Sequence, residues 1–554
     1  MFLDNKVYMG LDGDGNRVFL ELSMANRHGL IAGATGTGKT ITMKCMAESF
    51  ADAGVPVFLC DVKGDVSGIC EAGEKSENME SRIDRFGIRD SFNYKGYTTT
   101  FWDIYGEKGH PIRATVSDMG PELLSRILGL TDAQEGVLNI IFRIADDNGL
   151  LLIDLKDLRA MVNYVGEHKD EYILEYGNIA KQSLGGIVRA ILPIEDQGGN
   201  QFFGEPDLDI HDWIRKDLNG KGMVNVLDSV KLVQNPKLYS IFLLWMMAEL
   251  FEKMPEVGDP EKPELVFFFD EAHFLFTDMP PVFIQKIEQM VKLIRSKGIG
   301  VYFVTQNPAD IPDSVLAQLS NKVQHALRAY TPAEQKAIKA AAQSYRENPA
   351  FNTEQAITEL GVGEALVSFL DTEGIPIVAQ KMKVICPQSK MAAADEIYRA
   401  GMMTQDGMGS KYDSMVDNES AFEILTEKAT IAAEEAKLAA EKAALEKERE
   451  EFEKQQQKEA DAAAKLAQKE AERAEREALK AAERAEKEAL KAAEKAERAR
   501  ARQASTAAGS VGGTLGREVG KALGSSFGSI GKKVGGNLGA TLGRGFFKNL
   551  IGKK

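Results

Sequence analysis

Residues 33–40 read Gly-Ala-Thr-Gly-Thr-Gly-Lys-Thr, which fits the phosphate-loop spacing GxxxxGK[ST] at Gly33, Gly38, Lys39 and Thr40. Glycine lets the backbone curl so that successive N–H groups point at phosphate oxygens, and a helix N-terminus adds partial positive charge. Gly33, Ala34, Thr35, Gly36, Thr37 and Gly38 would form that cradle. Lys39 would reach the β- and γ-phosphates, and the Thr40 hydroxyl would ligate Mg2+. The flanks suit the loop: an apolar strand, Leu30-Ile-Ala, precedes it and a helix is expected over 40–53. A chance match in a glycine-rich chain would not explain that strand–loop–helix order.

A second constellation begins at Glu264-Leu-Val-Phe-Phe-Phe-Asp-Glu-Ala-His. Five consecutive apolar residues suit a parallel strand covered on both faces, and it ends in Asp270 and Glu271. With an upstream phosphate loop, Asp270 would hold Mg2+ through water and Glu271 would polarise the attacking water. The pair points to a hydrolase using ATP and Mg2+ rather than to a simple kinase. His273 reads as a structural hydrogen-bonder. The next strand, Gly298-Ile-Gly-Val-Tyr-Phe-Val-Thr-Gln, ends in Thr305 and Gln306. These polar groups suit sensing the γ-phosphate or orienting water, with a plain strand cap as the bland reading. Arg295 and Arg328, the latter on a strand expected over 323–329, are the arginines that would stabilise transition-state charge, within one subunit or across an interface. Surface ion pairs are the alternative for each. Asp61 ends the strand Val55-Pro-Val-Phe-Leu-Cys-Asp, and Lys63 and Asp65 follow it. Carboxyl ends of strands gather chemistry in α/β sheets, although an Asp there also caps turns.

These residues require an α/β P-loop NTPase frame. Residues 1–25 read as an N-terminal β-hairpin around Asp12-Gly-Asp-Gly-Asn. Ser23 stands where a calcium loop would need glutamate, which favours a plain turn. Residues 26–109 would hold the first part of the ATPase core, and 110–255 a mainly helical insertion with one strand over 222–228. Residues 256–386 would complete the core, closed by a hairpin of 363–370 and 375–380, and 387–419 would be a linker. Composition then shifts to Ala, Glu, Lys and Arg over 420–505. Ile424, Ile431, Leu438, Leu445 and Phe452 fall seven apart, a seam for a coiled coil, but a later eleven-residue near-repeat suits a lone charged helix as well. Residues 506–554 form a basic Gly-rich tail, with eight Lys/Arg against the single Glu518 and glycine at nearly every fourth position. Such a segment could pack as a cationic amphipathic helix on an anionic membrane, self-associate, or stay an irregular tail because glycine disfavours helix.

The 554 residues carry a net charge of −15, which disfavours a broad nucleic-acid-binding face while leaving a local basic channel open. Cys45, Cys60, Cys70 and Cys386 form no CxxC pair, against a zinc site or disulfide framework and in keeping with a reducing cytosol. The start, Met-Phe-Leu-Asp-Asn-Lys, has no secretory apolar region, and no run of ~18 apolar residues suggests a membrane span. The expected location is cytoplasmic, or peripheral at the inner face of the membrane through the tail.

Residues 33–40, the Asp61-Val-Lys-Gly strand end, Phe267-Phe-Phe-Asp-Glu-Ala-His and Arg295-Ser-Lys-Gly-Ile-Gly-Val-Tyr-Phe-Val-Thr-Gln-Asn-Pro together resemble bacterial HerA/FtsK-type ATPases. Gln201-Phe-Phe-Gly-Glu-Pro and Asn321-Lys-Val-Gln-His-Ala-Leu-Arg-Ala look like the HerA-like helicase C-terminal-domain subfamily. The resemblance covers roughly residues 1–390. It implies a RecA-like core, ATP hydrolysis, and a homo-oligomeric ring, often a hexamer, with an arginine supplied by a neighbour. The family's namesake also has an N-terminal barrel that engages a nuclease, whereas only about 25 residues precede the phosphate-loop strand here. Two functions follow as expectations. One is a Mg2+-dependent ATPase ring that moves nucleic acid, foremost duplex DNA. The other is an ATP-driven assembly or membrane-associated scaffold protein whose C-terminal tail engages protein partners or anionic lipid.

Overall fold

The computed structural model describes residues 2–277, 281–328 and 331–503. The chain divides into two units, Met1–Ala436 and Lys437–Lys554. Thirteen strands lie among the described residues of the first unit: β1 Phe2–Leu3, β2 Lys6–Asp12, β3 Arg17–Leu20, β4 Gly29–Ala32, β5 Val57–Asp61, β6 Thr99–Asp103, β7 His110–Pro111, β8 Val224–Asp228, β9 Leu265–Phe269, β10 Ile299–Thr305, β11 Asn321–Gln324, β12 Glu364–Ser368 and β13 Gln380–Val384. They form one sheet in the order β1-β2-β13-β12-β11-β4-β10-β9-β5-β8-β6-β7, with β3 added to β2. From β11 to β7 every pairing is parallel, whereas β12, β13 and β2 join antiparallel.

The parallel strands are apolar on both faces because helices cover both. Phe58, Trp102, Leu227, Phe267 and Phe303 share one core with Ile141, Leu158, Phe242 and Trp245 from the helical region. Alternate residues Val57, Leu59, Phe101, Val226, Phe268 and Tyr302 share the other with Met43, Met46 and Phe50 of the helix Lys39–Asp52. The period of two along each strand thus sorts the side chains between two layers.

Between β7 and β8 the chain is mainly helical, with Val116–Leu128, Asp132–Asp147, Leu155–Glu167 and Lys181–Asp196 as the main elements. Three of these start at capping boxes, Thr115/Asp118, Thr131/Gln134 and Asp154/Asp157, which satisfy otherwise unpaired N–H groups. Helix Pro236–Lys253 is buried along most of its length, as its apolar sequence requires.

Two local expectations differ in detail. The strand expected over 323–329 is shorter, because the ladder ends at Gln324 and the next residues brace the phosphate loop. The antiparallel return to β12 is Gln380–Val384, not the stretch over 375–380. Residues 387–419, read as a linker, are held on the core. Lys44 Nζ donates to Lys390 O at 2.5 Å, and the buried Glu48 carboxylate accepts from Gln388 N and Ser389 N at 2.8 and 3.0 Å. Tyr412 is fully buried against Trp102.

Helix Ala421–Gln503 carries the shift to Ala, Glu, Lys and Arg. Within the second unit its Leu438, Leu445 and Phe452 are exposed, and Lys454–Glu450 and Arg473–Glu477 pair one turn apart. The tail expected over 506–554 lies outside the described residues.

Candidate active site

The loop between β4 and the helix Lys39–Asp52 takes its shape from glycine and from its neighbours. Gly33 N donates to Thr305 O at 3.2 Å and Ala34 N to Ala326 O at 2.9 Å, so β10 and the segment after β11 grip the loop from both sides. A Cβ on Gly33 would lie 2.5 Å from His325 Cβ, and Gly33, Gly36 and Gly38 all have φ in the region open to glycine, at 154°, 77° and 116°. Thr37 Oγ1 closes the loop onto Ala34 O at 2.7 Å, while Thr35 and Gly36 are exposed at its crest. Lys39 is buried, and its Nζ donates to Gly33 O and Ala34 O at 2.7 and 3.2 Å. Burial lowers the Lys39 pKa and Lys63 adds to that, against the opposing pull of Glu271 and Asp270. Thr40 is half-buried in the first turn of the helix.

The sheet order brings the second constellation to this loop. β9 is separated from β4 only by β10, and Asp270 and Glu271 follow β9 directly. Asp270 is buried, and its Oδ2 has no hydrogen-bond partner. Burial pushes its carboxyl up to about 7, with Lys63 opposing and Glu271 adding. Glu271 has the opposite balance. Burial would raise it, but the Lys63 ammonium in contact with Oε1 holds it below the usual range. Its backbone is left-handed, with φ 46° and ψ 49°, a conformation that costs a non-glycine residue on the order of 1 kcal/mol and concentrates at functional sites. Gln306 Nε2 lies 3.4 and 3.3 Å from the two carboxylate oxygens. His273 Nδ1 lies 3.2 Å from Oε2 without hydrogen-bond geometry.

Thr305 and Gln306 separate in placement. Thr305 is fully buried, and its hydroxyl donates to Asp310 Oδ2 at 3.0 Å, within the turn after β10. Gln306 alone faces Glu271. The two arginines separate as well. Arg328 lines a cavity of about 340 Å3 with Ala34, Thr35, Gln306, Asn307 and Leu327, and its guanidinium donates to Thr358 O and Leu360 O. Arg295 precedes β10 and donates to Asp259 Oδ1 at 3.0 Å, a carboxylate it shares with Arg27. The seven residues of β10 separate that end from the phosphate loop by roughly 20 Å, so Arg295 lies at the opposite edge of its own sheet.

Asp61, left open between function and cap, accepts from Gly64 N, Val66 N and Ser67 N at 2.7, 3.1 and 3.2 Å. Burial, with Asp65 adding, nonetheless pushes its carboxyl to about 6. Sequence reasoning missed His325. Its Nε2 pairs with Thr42 Oγ1 at 2.8 Å and its Nδ1 with Glu364 O at 2.9 Å, directly behind the loop. Burial lowers its pKa to about 4. No motif announced it. The signal was its place within the tract Asn321-Lys-Val-Gln-His-Ala-Leu-Arg-Ala, which carries the family resemblance without marking the histidine.

The donor set suits a nucleotide with a hard cation. The unpartnered Asp270 oxygen and the Thr40 hydroxyl would hold Mg2+, which would neutralise charge on the phosphates. Among the described residues no group of three or more His, Cys, Asp and Glu could hold a metal, so such an ion would draw its other ligands from phosphate and water.

The phosphate-loop strand β4, with β10 between it and β9 and with β5 beyond, defines a P-loop NTPase core of RecA-like α/β architecture. The chain belongs to the family described as Helicase HerA-like C-terminal, whose model matches residues 7–534. Among solved structures it is similar to the bacterial conjugative coupling protein TrwBdeltaN70 in an unbound form, at 14% identity over 70% of this chain and 92% of that one, with a TM-score of 0.46. It is also similar to plasmid coupling protein TrwB in complex with ADP and Mg2+, at 14% identity over 67% and 88%, with a TM-score of 0.46. VirB4 of Thermoanaerobacter pseudethanolicus matches at 15% identity over 69% and 97%, with a TM-score of 0.45. No curated protein is significantly similar to the chain.

Proposed function

We propose that the chain is a Mg2+-dependent ATP hydrolase of the HerA/FtsK type, working as a ring, often a hexamer in such families, that moves nucleic acid, foremost duplex DNA. The convergence of Lys39, Asp270, Glu271 and Gln306 at one edge of the sheet carries the reading. Residues 33–40 cradle the phosphates, Thr40 and Asp270 hold the cation, and Lys39 stabilises charge on the β- and γ-phosphates. Glu271 takes the proton of the attacking water on a carboxylate oxygen, and Gln306 orients that water. Arg328, on the cavity beside Thr35, serves the site of its own subunit. Arg295, at the far edge and paired with Asp259, is out of reach of that site and could act only at a neighbour's.

A second reading has its own observation. The net charge of −15 and the exposed apolar residues of helix Ala421–Gln503 favour an ATP-driven assembly or scaffold protein, engaging partners or anionic lipid through residues 506–554. Among the described residues no helix is long and apolar enough to cross a membrane. The proposed location is cytoplasmic or peripheral at the inner membrane face. ATP turnover measured with and without DNA, RNA and liposomes, on material of known mass, decides between the two. Stimulation by duplex DNA at low salt supports the motor. Indifference to DNA with stimulation by anionic liposomes supports the scaffold. Lys39→Ala must abolish turnover in either case.

A further inference from the structure

One oxygen of the proposed base is already engaged in the resting site. A general base needs a free oxygen about 2.6–3.2 Å from the water it deprotonates. Here Oε1 is taken by the Lys63 ammonium, Gln306 Nε2 sits beside both oxygens, and His273 Nδ1 is 3.2 Å from Oε2. The two partners of the ion pair are unequal. Glu271 is 3% exposed and fixed in a left-handed backbone, whereas the Lys63 side chain is 41% exposed. Lys63 stands on the turn after β5, whose backbone Asp61 pins through Gly64, Val66 and Ser67. The lysine side chain can therefore leave for solvent without moving the turn, while the glutamate cannot leave its pocket.

We propose that Lys63 is a positioning residue that latches Glu271: in the resting site it occupies the carboxylate, and turnover requires it to swing off. This rests on the reading of Glu271 as the base. The latch sets the basal rate, so that hydrolysis waits on whatever draws the lysine away.

The test measures kcat and KM for ATP with the full chain, Mg2+ present and nucleic acid absent. Lys63→Met removes the ammonium and keeps most of the side-chain length, and its kcat should rise about fivefold with KM unchanged, the scale of a partly exposed ion pair released. Lys63→Gln should behave alike, which guards against misfolding of one variant. Lys63→Arg restores a cation beside Glu271 and should keep the low rate. Adding Glu271→Gln to Lys63→Met should return turnover to the level of Glu271→Gln alone. A kcat at or below wild type in both neutral variants overturns the latch. Wild-type turnover in Glu271→Gln overturns the base assignment instead, so the two failures are distinct.

Discussion

Adjacent strands β5 and β9 each lead to an aspartate, Asp61 as the last residue of β5 and Asp270 just after β9, yet the two carboxylates are unequally satisfied. Asp61 receives three backbone N–H groups of the turn that follows it, shared over both oxygens, while Asp270, one strand away and equally buried, receives the Glu271 backbone N–H but keeps Oδ2 without a partner. β6 repeats the first pattern, since Asp103 accepts from Tyr105, Glu107 and Lys108 N–H groups. A buried polar atom without a partner costs about 1–3 kcal/mol, so a fold keeps one where something else will bind it. The contrast separates a carboxylate that builds the edge of the sheet from one with an oxygen left over, the one proposed above to hold the cation.

The largest expected effect tests that division directly. Asp270→Asn should lower Mg2+-dependent ATP turnover by on the order of 100-fold, because the ligand proposed for the metal is lost. Its denaturation midpoint should hold or rise, because a buried carboxyl with one oxygen lacking a partner becomes a neutral amide. Steady-state hydrolysis beside a urea titration reads both quantities. A loss of stability parallel to the loss of rate would place Asp270 with Asp61 and dissolve the comparison. Asp61→Ala should reverse the pattern. Three N–H groups lose their acceptor, so unfolding free energy should fall by about 2 kcal/mol while turnover of the folded protein changes less than about tenfold.

Much of this was legible before the structure. The phosphate loop and the Asp270-Glu271 pair are defined by spacing within single strand–loop segments, and local spacing survives folding. Which aspartate is capped was not legible, since Asp61 and Asp270 both follow apolar strands and the difference lies in where the next few N–H groups turn. The two arginines were indistinguishable for a related reason. A sequence does not say that Arg295 stands at the start of β10 and Arg328 beside the loop until the register of β10 and β11 against β4 is known. His325 stayed hidden because its partners, Thr42 and Glu364, lie 283 and 39 residues away.

Titration sharpens the comparison further. A carboxyl near 6 in the folded state, against an ordinary 3.8, binds more protons folded than unfolded, so Asp61 contributes stability below about pH 4 that is lost as pH rises through about 6. His325 runs the other way. Its folded value near 4 against 6.5 means that its contribution is complete above pH 6.5 and is lost as pH falls toward 4. Each swing is on the order of 3 kcal/mol, and between pH 4 and 6 they offset each other. Asp61→Asn removes one arm. Its melting temperature should climb more steeply with pH across that window than wild type does. Parallel curves would show that the Asp61 carboxyl titrates normally.

The smallest expected effect concerns the same contrast at the end of β10, where Thr305 and Gln306 are sequence neighbours. The Thr305 hydroxyl is spent on Asp310 inside a turn, and the Gln306 amide faces Glu271. Thr305→Val keeps the shape and loses one hydrogen bond, so it should cost about 1 kcal/mol of stability and leave kcat within about twofold. Gln306→Ala should do the converse, with a kcat lowered about tenfold and an unchanged melting temperature. If Thr305→Val slowed turnover as much as Gln306→Ala does, the turn after β10 would itself be sensing the nucleotide. The boundary between residues that build the edge and residues that work at it would then have to move past Thr305.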